Sequence, residues 1–170
     1  SKDREFWKSA IGKELQSLFK NGVLKLVRVD EVRPGMDLLP AMLLLNIKSC
    51  GRKKARVVAC GNCQNVSQAE CYAGNTEHTT WLMMLQFVLA KHSDENPMSV
   101  RQLDVETAFL QTDKEDSQTS VDRRTFIRIP KGCKDFFGTD KYGDNQVFEV
   151  LNSIYGLRNA PANWKATLFK

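Results

Sequence analysis

Gln102-Leu103-Asp104-Val105-Glu106-Thr107-Ala108-Phe109-Leu110 is the stretch on which the reading of this chain turns. Val100 to Val105 reads as a short strand, and Glu106 to Leu110 as a turn or the start of a helix. A carboxylate at the end of a short apolar strand is costly to bury, so Asp104 needs a cation, a hydrogen-bonding shell or solvent. Magnesium prefers carboxylate oxygen, which makes a strand-end aspartate facing a cleft a natural ligand for it. The plainer alternative is that Asp104 caps the helix starting near Thr107.

Upstream, Asp3 can cap a first helix whose apolar residues Phe6, Trp7, Ala10, Ile11, Leu15, Leu18 and Phe19 keep helical spacing. Asn21-Gly22 supplies its left-handed stop. A strand follows at Val23 to Val29, and Arg33-Pro34-Gly35 breaks it. A hairpin comes next: Met42 to Lys48 goes out, Ser49-Cys50-Gly51 turns, and Lys53 to Cys60 returns. Alternation on the return strand puts Lys54, Arg56, Val58 and Cys60 on one face, with Ala55, Val57 and Ala59 on the other. Two long cations on one face suit a polyphosphate or backbone phosphates, the arginine offering a planar fork. A solvated strand face is the alternative.

Residues 62–75 are polar and loop-like. Thr79 or Thr80 can cap a helix running to Lys91, apolar almost all round and therefore expected to be buried. Gln111 to Arg124 reads as a polar, exposed insertion. Thr125 to Ile129 and Gln146 to Leu151 read as strands joined across a Gly-rich loop. Asn159 and Pro161 open a last helix carrying Trp164 and Leu168. Just before it, Tyr155-Gly156 forms a corner where glycine permits close backbone approach and the ring can stack on a base. Read alone, it is a strand-turn-helix corner.

The 170 residues suffice for one domain with a hydrophobic core, and 42% apolar with 26% charged residues is an ordinary globular composition. The formal charge of +5 is a mild bias toward polyanions. No apolar run approaches the roughly 18 residues of a membrane span. Ser1-Lys2-Asp3-Arg4-Glu5 lacks the apolar core of a secretion signal. Cys50, Cys60, Cys63, Cys71 and Cys133 are read as reduced thiols, so the protein is expected to be intracellular, in cytoplasm or nucleus. Cys60, Cys63, Cys71 and His78 could supply four zinc ligands, but their spacing fits no standard finger.

These features stand in an order that resembles the copia-type LTR retrotransposon reverse transcriptases. The opening helix of that family carries an aromatic and Glu-Leu, similar to Phe6-Trp7 and Glu14-Leu15. Its Lys-Ala-Arg-Leu-Val-Ala-Arg-Gly hairpin is similar to Lys54 through Gly61, with Gln64 following. Its Asp-Val-x-Thr-Ala-Phe-Leu motif is met by Asp104, Val105, Thr107, Ala108, Phe109 and Leu110. Ile129-Pro130-Lys131-Gly132 resembles its Pro-x-Gly turn, and Ile154 through Pro161 with Trp164 its Leu-Tyr-Gly-Leu-Lys-Gln-Ala-Pro block.

The resemblance implies an α+β fold: the fingers and partial palm of a right-hand polymerase, mostly antiparallel sheet with packed helices. Residues 1–170 would form a single partial domain, with 1–99 mainly fingers and 100–111 the first palm motif. An insertion-rich connection would occupy 112–146, and 147–170 would carry the Tyr-Gly-Leu motif and its helix. The implied activity is RNA-directed DNA synthesis from dNTPs on an RNA or DNA primer-template, with no membrane partner. The resemblance makes Asp104 the catalytic carboxylate and a Mg2+ ligand, with the Val105 carbonyl as a second metal contact. It assigns nucleotide binding to Lys54, Arg56, Phe109, Tyr155 and Gly156, with Phe109 beneath the sugar and the two cations on the triphosphate.

The departures bear on activity. The family's other two carboxylates lie in a Tyr-x-Asp-Asp hairpin downstream of the Tyr-Gly-Leu block, and the chain stops at Lys170. Cys60 replaces an arginine, and Thr112 stands where the family has glycine. The expectation is therefore a chain inactive by itself. The alternative is a non-catalytic nucleotide- or nucleic-acid-binding remnant of a degenerate element.

Overall fold

A computed structural model describes residues 2–65, 71, 73–74, 76–101, 103–105, 107–112, 124–138 and 141–170. Helix α1 (Lys2–Lys20) forms where apolar side chains recur at three- and four-residue spacing, and Ile11, Leu15 and Leu18 are its buried stripe. It stops as its sequence demands. Gly22 takes φ 65°, the Val23 N–H donates to the Leu18 carbonyl at 2.9 Å, and the Gly22 N–H donates to the Phe19 carbonyl at 3.1 Å. That pair of bonds satisfies two carbonyls the helix end would leave orphaned.

The elements that follow are β1 (Leu24–Arg28), β2 (Asp37–Leu39), β3 (Ala41–Ile47), β4 (Lys53–Ala59), α2 (His78–Lys91), β5 (Thr125–Arg128), α3 (Lys131–Phe137), β6 (Gln146–Val150) and α4 (Ala160–Leu168). One sheet has four strands in the order β1-β6-β5-β2, antiparallel except for the β2–β5 pair, which is parallel. The other is the β3–β4 hairpin. Helices and mostly antiparallel sheet make the fold α+β, as expected.

The chain divides into two units, residues 1–72 with 107–170, and residues 73–106. In the first, the four-stranded sheet is buried on both faces. Ile127 and Phe148 join α1, β4 and Ile154 in the larger apolar cluster, while Phe126, Val27 and Val147 pack with Met36 and Leu38. The period of two sends neighbouring residues to opposite clusters.

The second unit holds α2 and the segment after it. Here two expectations fail. No residue of α2 is buried: Met83 is 68% and Leu89 77% exposed. A helix apolar on all sides needs neighbours on all sides, and among its described residues this unit supplies no second helix or strand. For the same reason the described residues of 100–105 are coil and not a strand: no ladder partner lies among the unit's described residues.

Smaller differences follow from turn chemistry. The Gly-rich stretch read as a loop holds α3, begun after Pro130 and ended at Gly138 with φ 83°. Strand β2 is only three residues long, too short for its alternation to stand out. Thr112, read as part of an exposed insertion, is buried, its hydroxyl within hydrogen-bonding reach of the Phe109 carbonyl at 3.2 Å and of Asn152 Oδ1. Residues 113–123 of that insertion lie outside the described residues. No helix among the described residues is long and apolar enough to cross a membrane.

Candidate functional site

Strand β4 is held on three sides, and this fixes where its cations stand. β3 pairs along one edge, with Leu44 opposite Arg56 and Asn46 opposite Lys54. Its inward face, Ala55, Val57 and Ala59, is buried with the α1 stripe. Along its other edge, the Val57 N–H donates to Glu14 Oε1 at 3.4 Å and the Ala59 N–H donates to the Tyr155 carbonyl at 2.8 Å. Lys54 and Arg56 therefore share the remaining face, as alternation requires, beside the exposed side chains of Met42 and Leu44.

The Tyr155-Gly156 corner is docked on the end of β4 by backbone approach. Gly156 has φ 91°, and a Cβ there would collide with the Ala59 carbonyl and Val58; a Cβ on Gly61 would collide with the Gly156 carbonyl. Gln64, buried, locks the arrangement: its Oε1 accepts the Arg158 N–H at 2.9 Å and its Nε2 donates to Asn159 Oδ1 at 3.2 Å. Gly156 thus acts here through packing, whatever else approaches it.

With the corner seated, three of the expected nucleotide-binding side chains come together. The Arg56 guanidinium lies 5.2 Å above the Tyr155 ring, and Phe109 meets that ring edge-on with centroids 6.1 Å apart. Phe109 is carried by a short 3-10 turn, Ala108–Gln111, entered through Thr107 at φ 54°, a strained value for a β-branched residue. Lys54, two residues from Arg56 on the same face, has its pKa lowered by burial of the ammonium and by repulsion from Arg56, Lys48 and Arg52, partly offset by Glu14. Glu14 shows the converse: burial raises its pKa, against the pull of the Val57 N–H, Lys54 and Arg56.

Glu14 and Gln64 are the residues that motif reading undervalued. Glu14 carried a signal: it falls at the i+3 position between Ile11 and Leu15, a carboxylate inside the apolar stripe. Gln64 was marked only by its place after the hairpin motif; its partners, 94 and 95 residues away, were not legible.

Asp104 and Val105 belong to the second unit, where both are exposed and in coil, and Glu106 lies outside the described residues. Among the described residues no three of His, Cys, Asp or Glu come together as a metal site. Asp104 and the Val105 carbonyl can supply part, and by themselves only part, of the near-octahedral shell magnesium demands. Of the cysteines, Cys50 and Cys63 are exposed free thiols, while burial pushes the Cys133 thiol up to about 11.

A family profile described as reverse transcriptase (RNA-dependent DNA polymerase) matches residues 43–170. The chain belongs to this reverse transcriptase family. The Ty1-DR4, Ty1-LR2 and TyH3 transposon Gag-Pol polyproteins of Saccharomyces cerevisiae are each 27% identical to it over 175 residues, which cover 98% of this chain. The chain spans 9% of the length of these polyproteins. Within the reverse transcriptase family it is of the copia type, in keeping with the order of its motifs. No solved structure matches it.

Proposed function

We propose that the chain forms the fingers and the start of the palm of a copia-type reverse transcriptase, with the β4 face and the Tyr155 corner receiving the incoming nucleotide. The observation that carries this is the seating of Arg56 over Tyr155 with Phe109 edge-on beside it. A guanidinium and two rings in contact match a dNTP: Arg56 and Lys54 meet the phosphates, Tyr155 the base side and Phe109 the sugar. A primer-template of RNA or DNA is the macromolecular partner, and the protein works inside the cell, in cytoplasm or nucleus. Divalent magnesium is the family's general requirement, and Asp104 with the Val105 carbonyl would contribute part of its ligand set.

Binding of dTTP to the purified chain on an oligo(dT)·poly(rA) duplex tests this. Lys54→Ala and Arg56→Ala are each expected to weaken dTTP about tenfold, the scale of one charge-assisted phosphate contact. Unchanged affinity in both variants sinks the reading.

A second reading, a nucleotide-binding remnant without chemistry, is supported by Asp104 and Val105 lying exposed and in coil with no metal-ligand cluster among the described residues. Primer extension tests this second reading: binding without extension is its expected outcome, and extension lost on Asp104→Asn would overturn it in favour of the polymerase.

A further inference from the structure

A groove of about 640 Å³ opens between α1, α3 and the start of the loop leading to β6, and it shares no residue with the Arg56–Tyr155–Phe109 cluster. Its size falls in the range of small-molecule sites. Its walls are aromatic: Phe137 meets Tyr142 edge-on at 6.1 Å, and Phe19 lines it from α1. Two lysines, Lys20 and Lys141, border it, and Lys141 lies over the Phe137 and Tyr142 rings at 5.2 and 5.8 Å. Among the described residues neither lysine is in an ion pair.

The floor is Gly12, in the middle of a 19-residue helix. Glycine there costs the helix about 1 kcal/mol relative to alanine. Neither backbone conformation nor crowding calls for it, because an added Cβ would meet Phe137 at 3.6 Å, ordinary contact. With no side chain at Gly12, the Phe137 ring lies directly over α1 at the groove.

We propose that this groove binds a small aromatic monoanion. Its ring would pack against the Phe137–Tyr142 edge-to-face pair and Phe19, and its charge would be met by Lys20 and Lys141. An apolar body with one acidic group is the chemistry that satisfies both features. A neutral ring would leave both lysines without an anionic partner, and a polyanion would have to seat charge on hydrocarbon.

The test is a titration of the 15N-labelled full chain with 2-naphthoate, 2-naphthalenemethanol and 2-naphthylmethylammonium. Naphthoate is expected to shift the Gly12, Gln16 and Tyr142 amides saturably, with the alcohol three- to tenfold weaker and the cation weaker still. The Lys20→Ala/Lys141→Ala double variant is expected to bind naphthoate no better than the alcohol. Gly12→Leu should abolish binding; because it can also loosen the α1–α3 contact, the lysine pair carries the test. Shifts centred on the exposed apolar residues of α2 or β3, equal binding of anion and cation, or no loss in the lysine variant would each overturn the proposal.

Discussion

Helices α1 and α2 are both rich in apolar side chains, and their fates differ. In α1 the apolar residues form a stripe, the stripe meets β4 and the four-stranded sheet, and Ile11 and Leu18 lose all exposure. In α2 the apolar residues run round the helix, and none is buried. The difference teaches that total hydrophobicity does not decide burial. A stripe can be covered by one neighbouring layer, whereas an all-round apolar surface needs several, and the second unit supplies none among its described residues.

The largest expected effects test that contrast directly. Phe148→Ala, in a fully buried position of β6, should cost about 3–5 kcal/mol in denaturant unfolding. Leu89→Ser, at a position 77% exposed, should stay within about 0.5 kcal/mol. If Leu89→Ser costs as much as the core truncation, α2 is buried in solution and the contrast breaks.

A narrower contrast comes from two glycines of nearly identical φ. Gly156 has φ 91° and would drive a Cβ into the Ala59 carbonyl; Gly35 has φ 92° and open space around it. Gly35→Ala should cost about 1–2 kcal/mol, the penalty of the positive φ alone. Gly156→Ala should cost at least about 1 kcal/mol more, because the Tyr155 corner must lift off β4. Lifting it also moves Tyr155 from beneath Arg56, so dTTP affinity should fall with Gly156→Ala and hold with Gly35→Ala. Equal stability losses at the two positions would mean the close approach carries no energy.

The same contrast explains what could be read in the chain beforehand. The hairpin face holding Lys54 and Arg56 was legible because strand alternation is a local rule. The end of α1 was legible because Asn-Gly has one use there. The docking of Tyr155 was not, because its determinants are Gly61, Gln64 and Gly156 meeting across more than 90 residues, and nothing in the spacing marks a pair. The strand expected at 100–105 failed for a related reason. Its composition suits a strand, but a ladder partner is a property of the fold, and the second unit holds none among its described residues. The burial expected for α2 rested on composition with no partner named.

The smallest expected effect concerns Glu14, the polar member of the α1 stripe. Burial raises its folded pKa above the ordinary 4.5, outweighing the Val57 N–H, Lys54 and Arg56. The folded chain therefore holds this proton more tightly than the unfolded chain. Stability from this group is fully present below the ordinary value and is lost as pH rises through the folded one. Glu14→Gln keeps an oxygen for the Val57 N–H and removes the buried charge. It should match the parent at pH 4 and exceed it at pH 7 by less than about 1 kcal/mol, in parallel melts at the two values. The substitution also removes the carboxylate that offsets the repulsion on Lys54. The Lys54 titration, followed through its 13Cε resonance, should then move further below its ordinary 10.5. An unmoved Lys54 would mean that the two groups do not interact, and a Glu14→Gln chain less stable than the parent at pH 7 would mean that Glu14 acts as a paired anion exposed to water. The α1–β4 contact would then be less dry than its apolar stripe implies.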